Sequence, residues 1–318
     1  MMFRTNAKMI SATASIEGIL RILTPLLIVK FNLQHILHNN RCDFKPQLKS
    51  DNMLGAKRYF WHYFSGHFIE WYYSKYEHSI SSKINIEIPT LLQNLISHKT
   101  VPDWKCDIQT ITNISSSKSN LSSLTTLDEL VIKDSQDLIS EISQENLDKN
   151  MAHYESKIFH DPSANVSCEL WSGSFTWNNT GGSHHFAAAR YIASRLEKPI
   201  NLVSQLTIEY LDKNVMDILF SKYHIFLFSG KNIKQYDLLR ETLMHSKVSF
   251  VLAPIDAIFS TNEDYSSLKL LAFYNSDERA FAIRELCKNS TLLDLNIYFN
   301  SLYQKQLVNE FKLKDILN

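Results

Sequence analysis

The segment WSGSFTWNNTGGSHHFAAAR, running from Trp171 to Arg190, decides how the rest of the chain is read. It holds three of only seven glycines in 318 residues, Gly173, Gly181 and Gly182, and two of them are adjacent. Glycine is scarce here against a usual ~7%, so a Gly-Gly pair marks a backbone that other residues would strain. Ser172 to Trp177 alternates small or polar residues with aromatics, the period of a strand. Phe186 to Leu196 is apolar and alanine-rich, the composition of a helix. A strand, a Gly-Gly turn and a helix opening on Ser183, His184 and His185 gather free backbone N–H groups and a partial positive charge at one point. Such a point attracts anions.

Downstream, strand and helix patterns alternate. Extended apolar segments are expected at 200–204 and 206–211, as one or two strands, at Ile225–Ser229 and at Val248–Ala253, where Pro254 ends the run. Helices are expected at 215–221 and at 233–245 after Gly230, then at 267–274, 277–288, 292–303 and 305–317. Upstream, residues 14–38 read as one or two helices broken at Thr24-Pro25, with an apolar stripe of Ile16, Ile19, Leu20, Ile22 and Leu23. The stretch 57–78 is crowded with aromatics, including Trp61, Phe64, Phe68, Trp71 and Tyr76, at a spacing that suits a helix. A short strand at Ile84–Ile88, a helix at Leu91–His98 and a turn at Pro102–Cys106 follow. The run Asn113 to Thr126, rich in serine and asparagine, reads as a linker or mobile loop. Residues 127–147 carry the stripe of an amphipathic helix or helix pair.

The fold class expected is therefore α/β, with α+β the alternative. A mainly helical accessory region at 1–150 precedes a small mixed-sheet module at 151–260, and C-terminal helices at 261–318 pack on that module.

Bulk composition narrows the functional classes. Thirty-three basic and thirty-three acidic residues balance. Neutrality leaves no global field to recruit nucleic acid or an anionic membrane, and no basic recognition helix is visible. Cys42, Cys106, Cys168 and Cys287 stand singly, without metal-type spacing, as in a reducing cytoplasmic setting. The N-terminal apolar run is interrupted by Glu17, Arg21 and Pro25 before it reaches signal-peptide or membrane-spanning form.

Gly182-Ser183-His184-His185-Phe186-Ala187-Ala188 resembles the Gly-x-His-Arg-x-x-Ala box of the ParB/sulfiredoxin superfamily. The likeness covers about 171–211. It implies a strand leading through a tight turn into a helix whose N-terminus holds a nucleotide phosphate. On that resemblance Gly181, Gly182, Ser183, His185, Asn179 and Thr180 are the nucleotide-contacting candidates, for ATP, ADP or CTP with or without magnesium. His184 and Ser183 are the catalytic candidates for phosphotransfer or nucleotide hydrolysis, helped by an upstream carboxylate, Asp161 or Glu169. Two departures matter. His185 stands where the family has arginine, replacing a permanent phosphate fork by a group that is cationic only near or below about pH 6.5. Ser183 stands where sulfiredoxins have cysteine, so thiol-based sulfinic acid repair is not available.

A metal reading of His153, His160, His184 and His185 is weaker, because consecutive helical residues point about 100° apart. Ser229-Gly230-Lys231 has the look of a phosphate turn but lacks a full P-loop pattern. The alternative to a nucleotide site is a non-catalytic interaction protein, such as a bacterial toxin or effector, engaging a protein partner through 57–76. Homo-oligomerisation is left open.

Overall fold

The computed structural model describes residues 33, 34, 36, 37, 67–229, 233–254 and 268–317. In chain order its strands are β1 (Ile69–Ser74), β2 (Ser79–Ile84), β3 (Ile96–Asp107), β4 (Asn113–Ile114), β5 (Asn165–Glu169), β6 (Ser174–Trp177), β7 (Asn201–Leu211), β8 (Tyr223–Ser229), β9 (Phe250–Pro254), β10 (Leu268–Tyr274) and β11 (Leu293–Asp294). Its α-helices are α1 (Glu87–Gln93), α2 (Leu127–Asp134), α3 (Gln144–Met151), α4 (Ser183–Arg195), α5 (Lys213–Lys222), α6 (Ile233–His245), α7 (Phe281–Lys288) and α8 (Leu295–Leu317). The class is α/β, with strands and helices interleaved along the chain.

Two compact units emerge, and each is assembled from separated stretches: 67–92 lies with 217–298, and 93–216 with 299–318. The linear boundaries expected near 150 and 260 therefore do not delimit the packed bodies. The first 150 residues also carry more strand than their helical reading allows.

The first unit is built on a six-stranded sheet of order β11-β8-β10-β9-β1-β2, every neighbouring pair antiparallel. The expected helix at 267–274 is in fact strand β10. Its sequence LKLLAFY is buried along nearly its whole length, so an interior strand with both faces covered shows no alternation to distinguish it from a helix. The aromatic stretch is corrected in the same way. From Ile69 it is strand β1, Phe68 is buried, and Trp71 stacks on Phe250 with ring centroids 5.3 Å apart. Phe68 is buried and Trp71 packs against this unit's core, while Tyr72, at 36% exposure, and Tyr76, at 99%, face solvent. Residues 57–66, most of helices 14–38, Gly230 and Lys231 lie outside the described residues.

The second unit holds a five-stranded mixed sheet, β3-β7-β5-β6-β4, in which β7 pairs antiparallel with β3 and parallel with β5. The segments at 200–204 and 206–211, expected as one or two strands, form the single strand β7, whose Leu202, Ser204, Leu206 and Ile208 alternate inward. The turn expected at 102–106 is a bulge inside β3, where the register shifts between Val101 and Trp104 and Asp103 takes a φ of 50°. Residues 91–98, expected helical, are divided between the end of α1 and the start of β3.

Helix α4 is the centre of this unit's core. Phe186, Ala187, Ala188, Ala189, Ile192 and Ala193 are all 0% exposed and cluster with Val166 and Leu206 of the sheet. Three consecutive alanines let α4 approach the sheet while α2 and α3 pack beside it. Thr126 caps α2 by accepting from Glu129 N at 3.1 Å, and Ser143 caps α3 by accepting from Asn146 N at 3.2 Å. Helix α4 differs: its N-cap is Gly182, with no side chain to satisfy the first N–H groups.

Candidate functional site

The site is built from the turn between β6 and α4. Gly182 has φ +68°, in the left-handed region, and a Cβ there would sit 2.6 Å from the backbone carbonyl of Glu155. Both the conformation and the close approach demand glycine. Gly181 is set against the Glu155 side chain, 3.4 Å from where its own Cβ would be.

Asn179 locks a second segment onto this turn. Its buried Oδ1 accepts from Ser115 N at 3.0 Å and Ser116 N at 3.1 Å, while its Nδ2 donates to Ser116 O at 2.9 Å and Gly181 O at 3.1 Å. With β4 pairing parallel to β6, the serine-rich run is held over the start of α4.

Between these segments lies a cleft of about 480 Å³, within the range of small-molecule sites. Thr180, Gly181, Gly182, Ser183, His184 and His185 form one wall, and Ser116, Ser117 and Lys118 another. His153, Tyr154 and Glu155 complete it, and Tyr154 is 78% exposed at its edge. The first turn of α4 contains no acidic residue, so no side chain of that turn offsets its positive end.

Two histidines divide the chemistry. His184 Nε2 meets Ser117 Oγ at 3.2 Å and Ser119 Oγ at 3.4 Å, and its Nδ1 is hydrogen-bonded to buried Ser135 Oγ. His185 Nδ1 meets Asn150 Oδ1 at 2.9 Å, and its ring stacks on His153 with centroids 3.7 Å apart. Burial is the first cause pushing both imidazoles below the ordinary histidine value. For His184 the neighbouring Lys118 adds to this against Asp134 and Asp137; for His185 the stacked His153 adds to it against Glu155. Both rings are consequently neutral near pH 7.

Six of the sequence-predicted residues, Thr180 to His185, thus converge on one cleft. The others do not join them. Asn179 stands behind the wall as a loop clamp, with its polar atoms already used. Glu169 ends β5, buried, its Oε2 accepting from Ser172 Oγ at 3.3 Å. Asp161 caps its own turn, accepting from Ser163 N at 2.8 Å and Ser163 Oγ at 2.6 Å, and these bonds hold its carboxyl below the usual range. It borders a different depression, with His160 and Pro162. The carboxylate on the cleft wall is Glu155 instead. Arg190 pairs with Asp128 at 2.9 Å.

Sequence reading missed Ser116, Ser117, Lys118, Ser135 and Glu155. The S-S-S-K-S run looked like a linker because nothing local announces that Asn179, more than sixty residues on, will order it. Its one signal was a lysine set among hydroxyls. Among the described residues no group of three or more His, Cys, Asp or Glu could hold a metal ion, and no helix is long and apolar enough to cross a membrane.

The profile of a family of unknown function, DUF6685, matches residues 101–311. The chain belongs to this family. The β6–α4 turn, the serine-rich run and Glu155 all fall within the part that DUF6685 defines. No curated protein and no solved structure matches the chain.

Proposed function

We propose that the cleft binds a phosphate-bearing small molecule, in the first place a nucleotide such as ATP, ADP or CTP. The observation that carries this reading is the convergence of Thr180–His185, at an uncapped helix N-terminus, with Ser116, Ser117 and Lys118 across one cleft. Free N–H groups, hydroxyls and an ammonium together match the oxygens of a phosphate. Tyr154 offers an exposed ring on which a base can stack. Among the described residues Glu155 is the single carboxylate lining the cleft, and one carboxylate plus substrate phosphates is a common magnesium arrangement. Histidines in place of the fork of an arginine make phosphate affinity rise as the pH falls, because a bound anion favours the imidazolium. Buried, unpaired Cys106, Cys168 and Cys287 are in keeping with a cytoplasmic setting.

The test is thermal unfolding with ATP, ADP, CTP and GTP, with and without magnesium. Ligand at about a hundred times its Kd adds about 2.7 kcal/mol of stability, a rise of several degrees in Tm. Replacement of Ser183, His184 and His185 by alanine together removes the rise, and Lys118→Ala reduces it. Absence of any shift at millimolar ligand overturns the proposal.

A further inference from the structure

We propose that Ser117 is a nucleophile of this cleft and His184 its general base, so that the site transfers a phosphoryl group to its own serine hydroxyl. The inference deepens the phosphate-binding reading and rests on it for the substrate class. Ser117 Oγ lies 3.2 Å from His184 Nε2 and also accepts from Ser183 Oγ at 3.1 Å. On its other side the imidazole is held by buried Ser135 Oγ at Nδ1. Nucleophile, base and orienting group therefore stand in line, the relation that activates a serine. A proton on Nδ1 donated to Ser135 leaves Nε2 as the acceptor facing Ser117. Ser117 and His184 both line the cleft, beside Lys118 and the uncapped start of α4, where charge developing on phosphoryl oxygens meets N–H groups and an ammonium.

The step balances without an outside redox partner. Ser117 Oγ attacks phosphorus, and its proton passes to His184 Nε2. The new O–P bond forms as the bond from phosphorus to the leaving oxygen breaks, and that oxygen departs with the electron pair and takes the proton from His184. Water, deprotonated by the again neutral His184, then attacks phosphorus, the Ser117 O–P bond breaks, and the serine oxygen takes the proton back from His184. Burial keeps His184 unprotonated near neutrality, as a base requires. Ser183, the hydroxyl expected from the sequence, touches Ser117 and not the base in this arrangement.

The experiment labels the full chain with a fluorophosphonate, in which fluoride replaces the leaving oxygen, and locates the adduct by peptide mass spectrometry. The expected adduct is on Ser117. Ser117→Ala removes it, and His184→Gln slows labelling by about 10²-fold or more. Ser135→Ala, which alters a positioning residue, shifts the pH profile of labelling. The wild-type rate rises with pH through the His184 ionisation and is flat above it. Folded wild-type protein that gives no adduct on Ser117, or a His184→Gln rate equal to wild type, overturns the proposal. A nucleotide-induced rise in Tm without an adduct leaves the binding reading standing and sinks this one. An adduct without any nucleotide effect supports the serine–histidine pair and sinks the nucleotide reading.

Discussion

Gly182 is the residue on which the site geometry turns. Alanine there meets a left-handed φ and the Glu155 backbone at 2.6 Å together, so Gly182→Ala is expected to lose about 1–3 kcal/mol or more. Gly173 shares the positive φ, but its nearest neighbour is the movable Asn309 side chain at 3.1 Å. Gly173→Ala is expected to lose less. Urea midpoints for the two variants check the order, and equal losses would refute the close-approach argument. The two histidines make a pH prediction. Since their folded ionisation lies below the ordinary 6.5, the unfolded chain binds more protons as the pH drops below that value. Their contribution to stability is complete above about pH 6.5, falls as the pH passes through the two depressed values and levels off beneath them. Urea midpoints followed across this window should decline more gently when both rings are replaced by glutamine, and an unchanged slope would refute the assignment.

At the scale of elements, α4 joins the site to the core of its unit. Phe186 is wholly buried, 5.0 Å from the Trp177 ring and 5.9 Å from that of Phe159. Its truncation to alanine is expected to remove about 3–5 kcal/mol. Enlarging Ala188, also 0% exposed, to leucine is expected to lose about 1–3 kcal/mol by overpacking. Chemical denaturation measures both, and a leucine variant of wild-type stability would show that α4 has slack against the sheet. Helix α4 and strand β6 were legible because their side-chain periods are local. Strand β10 was not, because an interior strand presents the continuous apolar run of a buried helix. Strand β1 was misread because aromatics suit either element, and only its pairing with β2 and β9 settles the matter.

At the scale of the molecule, the described cysteines report on the two units separately. Cys106 and Cys168 belong to the core of the unit holding the cleft, and Cys287 to the core of the other. Burial pushes all three thiols up to about 12, so thiolate is scarce at neutral pH. Pulsed alkylation at rising urea should therefore label each only when its own unit opens. Cys106 and Cys168 are expected to react together, since they share one cluster. Reaction of either in native buffer at the rate of a free thiol would contradict the burial.

The sequence by itself determined the α/β class and the strand–turn–helix of 171–196, because each follows from local period or from glycine's backbone freedom. Tertiary structure decided the rest. Hydrogen bonds between Gln306 and the Leu211 backbone and from Asn309 to Leu170 O join 299–318 to 93–216, and such long-range contacts leave no local trace. Asn179 brings the serine run onto the turn, which converts an apparent linker into a wall of the cleft. Close approach at Gly182 sets Glu155 there as well, while Asp161 and Glu169, plausible by position, are spent on their own turns. Which hydroxyl meets His184 is a matter of distance between segments, and only folding sets that distance.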